Sequence, residues 1–219
     1  MKRAGFAAAT VSAIIVAMNA PLTTAADGLP RRAFTVKDVE RMVEVGLIAE
    51  DERLELIGGE IVPMSPKGNH HEVLKVALLD RWYRLRPDDL MLAPETTFRL
   101  ANDTYLEPDV VVYRRADGLR RLDGGTALLC VEIADTSLGY DLHRKPAIYA
   151  SFGVAELWVI DAVRRVTHVH RRPEAGTYGS VTLHAGNETL VPLLAPALML
   201  RLDDLDLGEL DSSDLDGPD

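Results

Sequence analysis

The stretch "YLEPDVVVY" (residues 105–113), followed some twenty residues on by "ALLCVEIAD" (127–135), decides the fold. With "ELWVID" (156–161) these supply three short runs that are apolar on both faces, the pattern of central strands covered by helices on each side. Acids interrupt them. Asp109 stands at the start of the first strand, Glu132 lies inside the second, and Asp135 closes it. A buried, unpaired charge is costly enough that the group neutralises or finds a cation, so these acids ask for partners.

Around that centre the chain reads as alternating elements. "FTVKDVERMVEVG" (34–46) offers Thr35 as an N-cap with Asp38 three residues on, apolar Val36, Val39, Met42 and Val43 on one face, and Gly46 as a stop. "RLELIGGEIVPMS" (53–65) alternates around Gly58 and Gly59, a hairpin signal. From His70 to Arg86, apolar residues at helical spacing predict a helix that Pro87 closes. "ETTFRL" and "RVTHVHRR" add strands, "RKPAIYASFG" predicts a short helix, and "GTYGS" and "LGY" read as turns. The expected class is α/β, a mixed sheet flanked by helices.

An apolar fraction of 47% with 26% charged residues is ordinary for one globular domain, so a sizeable core is expected. The net charge of −10 is uneven. No Lys or Arg follows Arg201, whereas residues 1–202 balance 24 basic against 26 acidic groups. The acidity therefore lives in a tail, 203–219, whose composition favours disorder. No general basic footprint for nucleic acid is present. The single cysteine, Cys130, cannot form an internal disulfide and sits in an apolar run as a buried thiol. No phosphate-cradling glycine loop, internal repeat or zinc-spaced Cys/His cluster occurs.

Residues 1–32 are expected to lie outside the fold, which then spans 33–202. The basic start, apolar stretch and small residues near Ala20 or Ala26 have the composition of a secretory leader, too short for a membrane span. The alternative is a true start at Met18.

Acids on adjacent strands, about 5 Å apart, suit one shared divalent cation. Magnesium prefers oxygen ligands and is held by one or two carboxylates plus substrate phosphate. Lys145 follows near the next helix, and an ammonium there can orient the attacking water or offset charge on a scissile phosphate. Pro146 disfavours α geometry at Lys145, so the helix is expected to begin after it.

These blocks together resemble a known family. Pro108 and Asp109, "VEIADTS" (131–137), "YDLHRKPAIYASFGVAELWVID" (140–161), "FTVKDVERM", "ERLELIGGEIVPMSPKGNHHEVL" and "RVTHVHRR" are similar in order and spacing to the Uma2 family of the PD-(D/E)XK nuclease superfamily, over residues 34–202. The resemblance implies a restriction endonuclease-like fold and Mg²⁺-dependent, or Mn²⁺-dependent, hydrolysis of DNA phosphodiesters in the cytoplasm, which favours Met18 as the start. It implies Asp109 and Glu132 as metal ligands, Glu60 as a further ligand of metal or water, and His71 as a family histidine. DNA is the implied partner, with a homodimer as one route to double-strand cutting and no membrane partner. One departure stands out: the superfamily lysine two residues after the acid is here Ala134, and Lys145 is its expected replacement.

Each residue has a plainer alternative. A turn cap suits Asp109, a structural arginine could serve Glu132, an i,i+4 pair with Asp141 suits Lys145, a solvated strand face suits Glu60, and a surface or capping role suits His71. The rival function is a catalytically silent protein on the same scaffold, favoured by the near-neutral body because DNA affinity is mostly phosphate neutralisation. Local docking strips are Arg114, Arg115, Arg120 and Arg121, or Arg164, Arg165, Arg171 and Arg172.

Overall fold

The two acid-bearing stretches form neighbouring strands. In a computed structural model that describes residues 22–24, 30–135, 139, 142 and 144–208, β8 (Val110–Arg114) pairs antiparallel with β9 (Ala127–Ala134), with Val110 opposite Val131. Most of the leader, Asp141 and residues 209–219 lie outside the described set.

The backbone divides into two compact units, Met1–Met64 with Ala101–Leu106, and Ser65–Leu100 with Glu107–Asp219. In the first, β1 (Leu22–Thr24) pairs with β2 (Pro30–Arg32). Helix α1 (Val36–Glu44) opens on the expected capping box: Thr35 accepts from the Asp38 N–H and Asp38 accepts from the Thr35 N–H, a device worth about 1 kcal/mol. β3 (Leu54–Ile57) and β4 (Glu60–Pro63) form the expected hairpin, whose two turn residues, Gly58 and Gly59, both take positive φ. β7 (Thr104–Leu106) joins β3 on its other side, and Val36, Val39, Leu56 and Tyr105 make this unit's core.

The second unit carries a six-stranded mixed sheet in the order β12-β11-β10-β9-β8-β5. β5 is Leu90–Pro94, and β6 (Phe98–Ala101) follows it in the chain. β9 and β10 (Glu156–Asp161) run parallel, joined through α3 (Lys145–Ser151), as parallel neighbours require. β11 (Val166–Glu174) and β12 (Thr177–Ala185) add a long hairpin. All eight residues of β9 and all six of β10 are buried, as two-sided coverage demands. Strand alternation assigns the faces. Leu129, Val131 and Ile133 pack with Leu74, Leu78 and Trp82 of α2 (Asn69–Leu85), while the intervening Glu132 meets α3. Trp82 and Trp158 are fully buried, with ring centroids 6.1 Å apart. Among the described residues no helix is long and apolar enough to cross a membrane.

Two expectations change. "GTYGS" is not a turn: Thr177–Ser180 open β12, and the reversal is made by Ala175 and Gly176, both at positive φ. Helix α3 begins at Lys145 rather than after it, because a proline in the first turn gives up an N–H that has no helical partner anyway.

Candidate active site

Asp109 sits one residue before β8, and its carboxylate is almost wholly buried. Its oxygens are all accounted for. Oδ2 accepts from the Ile133 N–H at 2.8 Å, while Oδ1 lies 2.7 Å from Lys67 Nζ and 2.9 Å from His71 Nε2. Burial pushes this carboxyl upward, but the hydrogen bond and charge of His71 and the charge of Lys67 outweigh it, so its pKa falls below the ordinary 3.8.

These contacts belong to a closed ring in which acidic and basic groups alternate. Lys67 Nζ also contacts Glu95 Oε1; Lys75 Nζ bridges Glu95 Oε1 at 2.7 Å and Glu72 Oε1 at 2.8 Å; and His71 Nδ1 faces Glu72 Oε1 at 3.1 Å, which leads back to Asp109. Three carboxylates alternate with two ammonium groups and an imidazole. Both ring nitrogens face carboxylate oxygens, and both can donate only when the ring carries two protons. Helix α2 sets much of this, since His71, Glu72 and Lys75 all project from its first two turns. Burial raises the Glu95 carboxyl, but Lys67 and Lys75 hold it at about 2. Burial likewise opposes, and pairing overcomes, a lowered Glu72 and a raised Lys75. Glu95 takes a left-handed backbone, φ 47°, which a non-glycine residue adopts only where its surroundings enforce it.

Glu132 is held by a separate set of partners. Its Oε1 accepts from Tyr149 Oη at 2.5 Å, and its Oε2 lies 3.1 Å from Lys145 Nζ, with both charged side chains nearly inaccessible. Lys145 and Tyr149 are one turn apart on α3, and Tyr149 is fixed by stacking on Phe98 at 6.3 Å. Ala134 lies on the Glu132 face and is completely buried. The structure brings Lys145 to Glu132 from α3. Asp109 and Glu132 are linked through the backbone: the hydrogen bond from the Ile133 N–H puts Asp109 Oδ2 within roughly 5 Å of the Glu132 Cα, given standard peptide dimensions.

Glu60 opens β4 in the other compact unit, and Asp141 lies outside the described residues. His71 is buried, not a surface or capping residue. Among the described residues no three His, Cys, Asp or Glu side chains converge as a metal cluster. Lys67, Glu72, Lys75, Glu95 and Tyr149 carried no expectation. The helical spacing of Lys145 and Tyr149 was a usable signal for the tyrosine, whereas Lys67 and Glu95 lie in irregular segments that only the fold brings together. A further buried acid, Glu156, is structural: it accepts from Trp158 Nε1, from the Arg171 guanidinium and from the Leu193 N–H. Asp161 caps its turn by accepting from the N–H groups of Val163 and Arg164.

The family model "Uma2: Putative restriction endonuclease" matches residues 36–203. The crystal structure of a "putative nuclease belonging to DUF820" from Anabaena variabilis ATCC 29413 aligns with a TM-score of 0.58 at 16% identity, covering 78% of this chain and 96% of that one. At that identity the likeness is one of fold. No curated protein matches the sequence.

Proposed function

Because the chain belongs to the Uma2 family, we propose that this restriction endonuclease-like protein is a divalent-metal-dependent endonuclease that hydrolyses DNA phosphodiester bonds. The observation that carries the reading is the pair of buried carboxylates, Asp109 and Glu132, on neighbouring strands and each within reach of lysine. The donor set fits Mg²⁺ or Mn²⁺, since both acids offer hard oxygens and Lys67 already seats a positive charge on Asp109. When bound, such an ion supplies Lewis acidity at the phosphate and an activated water.

The chain's own residues then divide the work. Asp109 and Glu132 hold the cation. The Ile133 N–H and His71 fix the orientation of the Asp109 carboxylate, and Tyr149 does the same for Glu132. Lys145, beside Glu132, orients water or offsets charge growing on phosphate. Asp141 is proposed as an auxiliary polar group. Docking on DNA falls to Arg120 and Arg121, which are exposed on a short 3-10 turn, because Arg164, Arg165 and Arg171 are engaged with Asp161, Asp203 and Glu156. A homodimer would pair two such sites for double-strand cutting, and a DNA substrate places the protein in the cytoplasm.

A silent scaffold is the second reading, favoured by one observation: each carboxylate already has a protein cation. Supercoiled plasmid incubated with Mg²⁺, Mn²⁺ or chelator separates the two. Nicking or linearisation that needs metal and disappears in Asp109→Ala supports the nuclease, and an inert wild type supports the scaffold.

A further inference from the structure

The ring holds two ammonium groups, and Lys67 is the one seated on Asp109, whereas Lys75 contacts Glu72 and Glu95. His71 and Lys75 project from α2. Lys67 lies before the helix, two residues ahead of Asn69, in an irregular segment. Its ammonium is nonetheless seated between two acids, 2.7 Å from Asp109 Oδ1 and in contact with Glu95 Oε1.

The two acids differ in access. Asp109's side chain is 5% exposed and that of Lys67 12%, whereas that of Glu95 is 41% exposed, so the more open side of this pairing is the Glu95 side. Glu95 takes its left-handed backbone, φ 47°, at this point. Its N–H also donates to the Asp109 carbonyl at 3.2 Å, which ties the two acidic residues together at the backbone.

A divalent cation and the Lys67 ammonium cannot share this position. Metal–oxygen distances are about 2.1 Å, so an ion on Asp109 Oδ1 would stand within roughly 5 Å of the ammonium nitrogen, where like charges repel strongly in a poorly solvated site. One must leave. Rotation about its flexible four-carbon stem would carry the Lys67 ammonium out past the half-exposed Glu95.

We propose that Lys67 is an exchangeable internal cation, and that Asp109 and Glu95 are the carboxylate pair that receives a divalent ion when the Lys67 side chain swings out. This rests on the reading of Asp109 as a metal ligand and adds Glu95 as its companion. The charge ring is then the metal-free resting form of the site. Lys67 keeps two acids compatible with the folded state until a more highly charged ion replaces it.

Calorimetric titration of the full chain with Mn²⁺, in wild type, Lys67→Met, Lys67→Met/Glu95→Gln and Asp109→Asn, tests this without any activity readout. Lys67→Met is expected to bind Mn²⁺ at least tenfold tighter than wild type, the double variant to lose that gain, and Asp109→Asn to bind least. Equal affinity in wild type and Lys67→Met, with binding still lost in Asp109→Asn, overturns the exchange while leaving Asp109 a metal ligand. A gain that survives Glu95→Gln overturns the pairing of Asp109 with Glu95. No binding in any variant overturns both this proposal and the metal reading beneath it. Should Lys67→Met fold poorly, the milder Lys67→Gln serves, and the Mn²⁺-induced rise in melting temperature, larger in the variant than in wild type, gives the same comparison; an equal rise counts against exchange.

Discussion

At the scale of single residues, buried acids meet their cost through specific cations, which makes their removal asymmetric. Lys145 and Glu132 are both nearly inaccessible, so truncating the lysine takes a cation away from a buried carboxylate. Lys145→Ala is expected to destabilise the fold by about 3 kcal/mol in urea denaturation, the scale for breaking a buried pair, and to lower any cleavage rate by about 10². A stability change below about 1 kcal/mol would show the pair to be solvated. The Asp109 and Glu95 carboxyls titrate below their ordinary values of 3.8 and 4.5, Glu95 at about 2. Folded-state values that are depressed give stability that is complete above the unfolded pKa and lost as pH falls towards the folded one. The melting temperature of wild type should therefore drop between about pH 5 and pH 2, and Asp109→Asn should flatten that slope. Identical slopes would remove Asp109 from the acid response.

At the scale of elements, α2 carries His71 and Lys75, α3 carries Lys145 and Tyr149, and the placement of α3 depends on close backbone approach. A Cβ on Gly124 would fall 2.0 Å from the carbonyl oxygen of Phe152, the residue that caps the C-terminus of α3. Gly124→Ala is thus expected to cost about 1–3 kcal/mol by overpacking, and to loosen the Lys145 and Tyr149 contacts with Glu132. An unchanged melting temperature would mean that this junction gives way easily. The elements themselves were legible in sequence. The Thr35 and Asp38 capping box, the Gly58 and Gly59 turn and the two-sided runs of β8, β9 and β10 are local signals, and each formed where expected. β12 was misread at its start because Gly179 looks like punctuation, whereas pairing with β11 holds it extended. Asp109 and Glu132 could be singled out because each interrupts an apolar run, and Lys145 by its place near the next helix and by the family resemblance. Lys67 and Glu95 break no local pattern: they are ordinary charged loop residues, and their meeting, 28 positions apart, is a property of the tertiary fold.

At the scale of the whole molecule, charge limits what the protein can bind. The near-neutral balance up to residue 202 makes any DNA affinity a matter of local arginines, so it should be weak and steeply salt-dependent. Exposed Arg120 and Arg121 are the residues to change first. Arg120→Ala/Arg121→Ala should weaken duplex binding several-fold and reduce its salt slope, as measured by fluorescence anisotropy at two or more ionic strengths; an unchanged slope would place docking elsewhere. The claim on which the rest depends is that Asp109, Glu132 and Lys145 form one phosphodiester-cleaving site. Its most direct test is the rate of supercoiled-plasmid cleavage in Mg²⁺ by wild type beside Asp109→Asn, Glu132→Gln and Lys145→Met, each first confirmed to be folded. The expected result is metal-dependent cutting by wild type and a loss of 10² or more in every variant, whereas an inert wild type, or a variant that cuts at the wild-type rate, would contradict the claim.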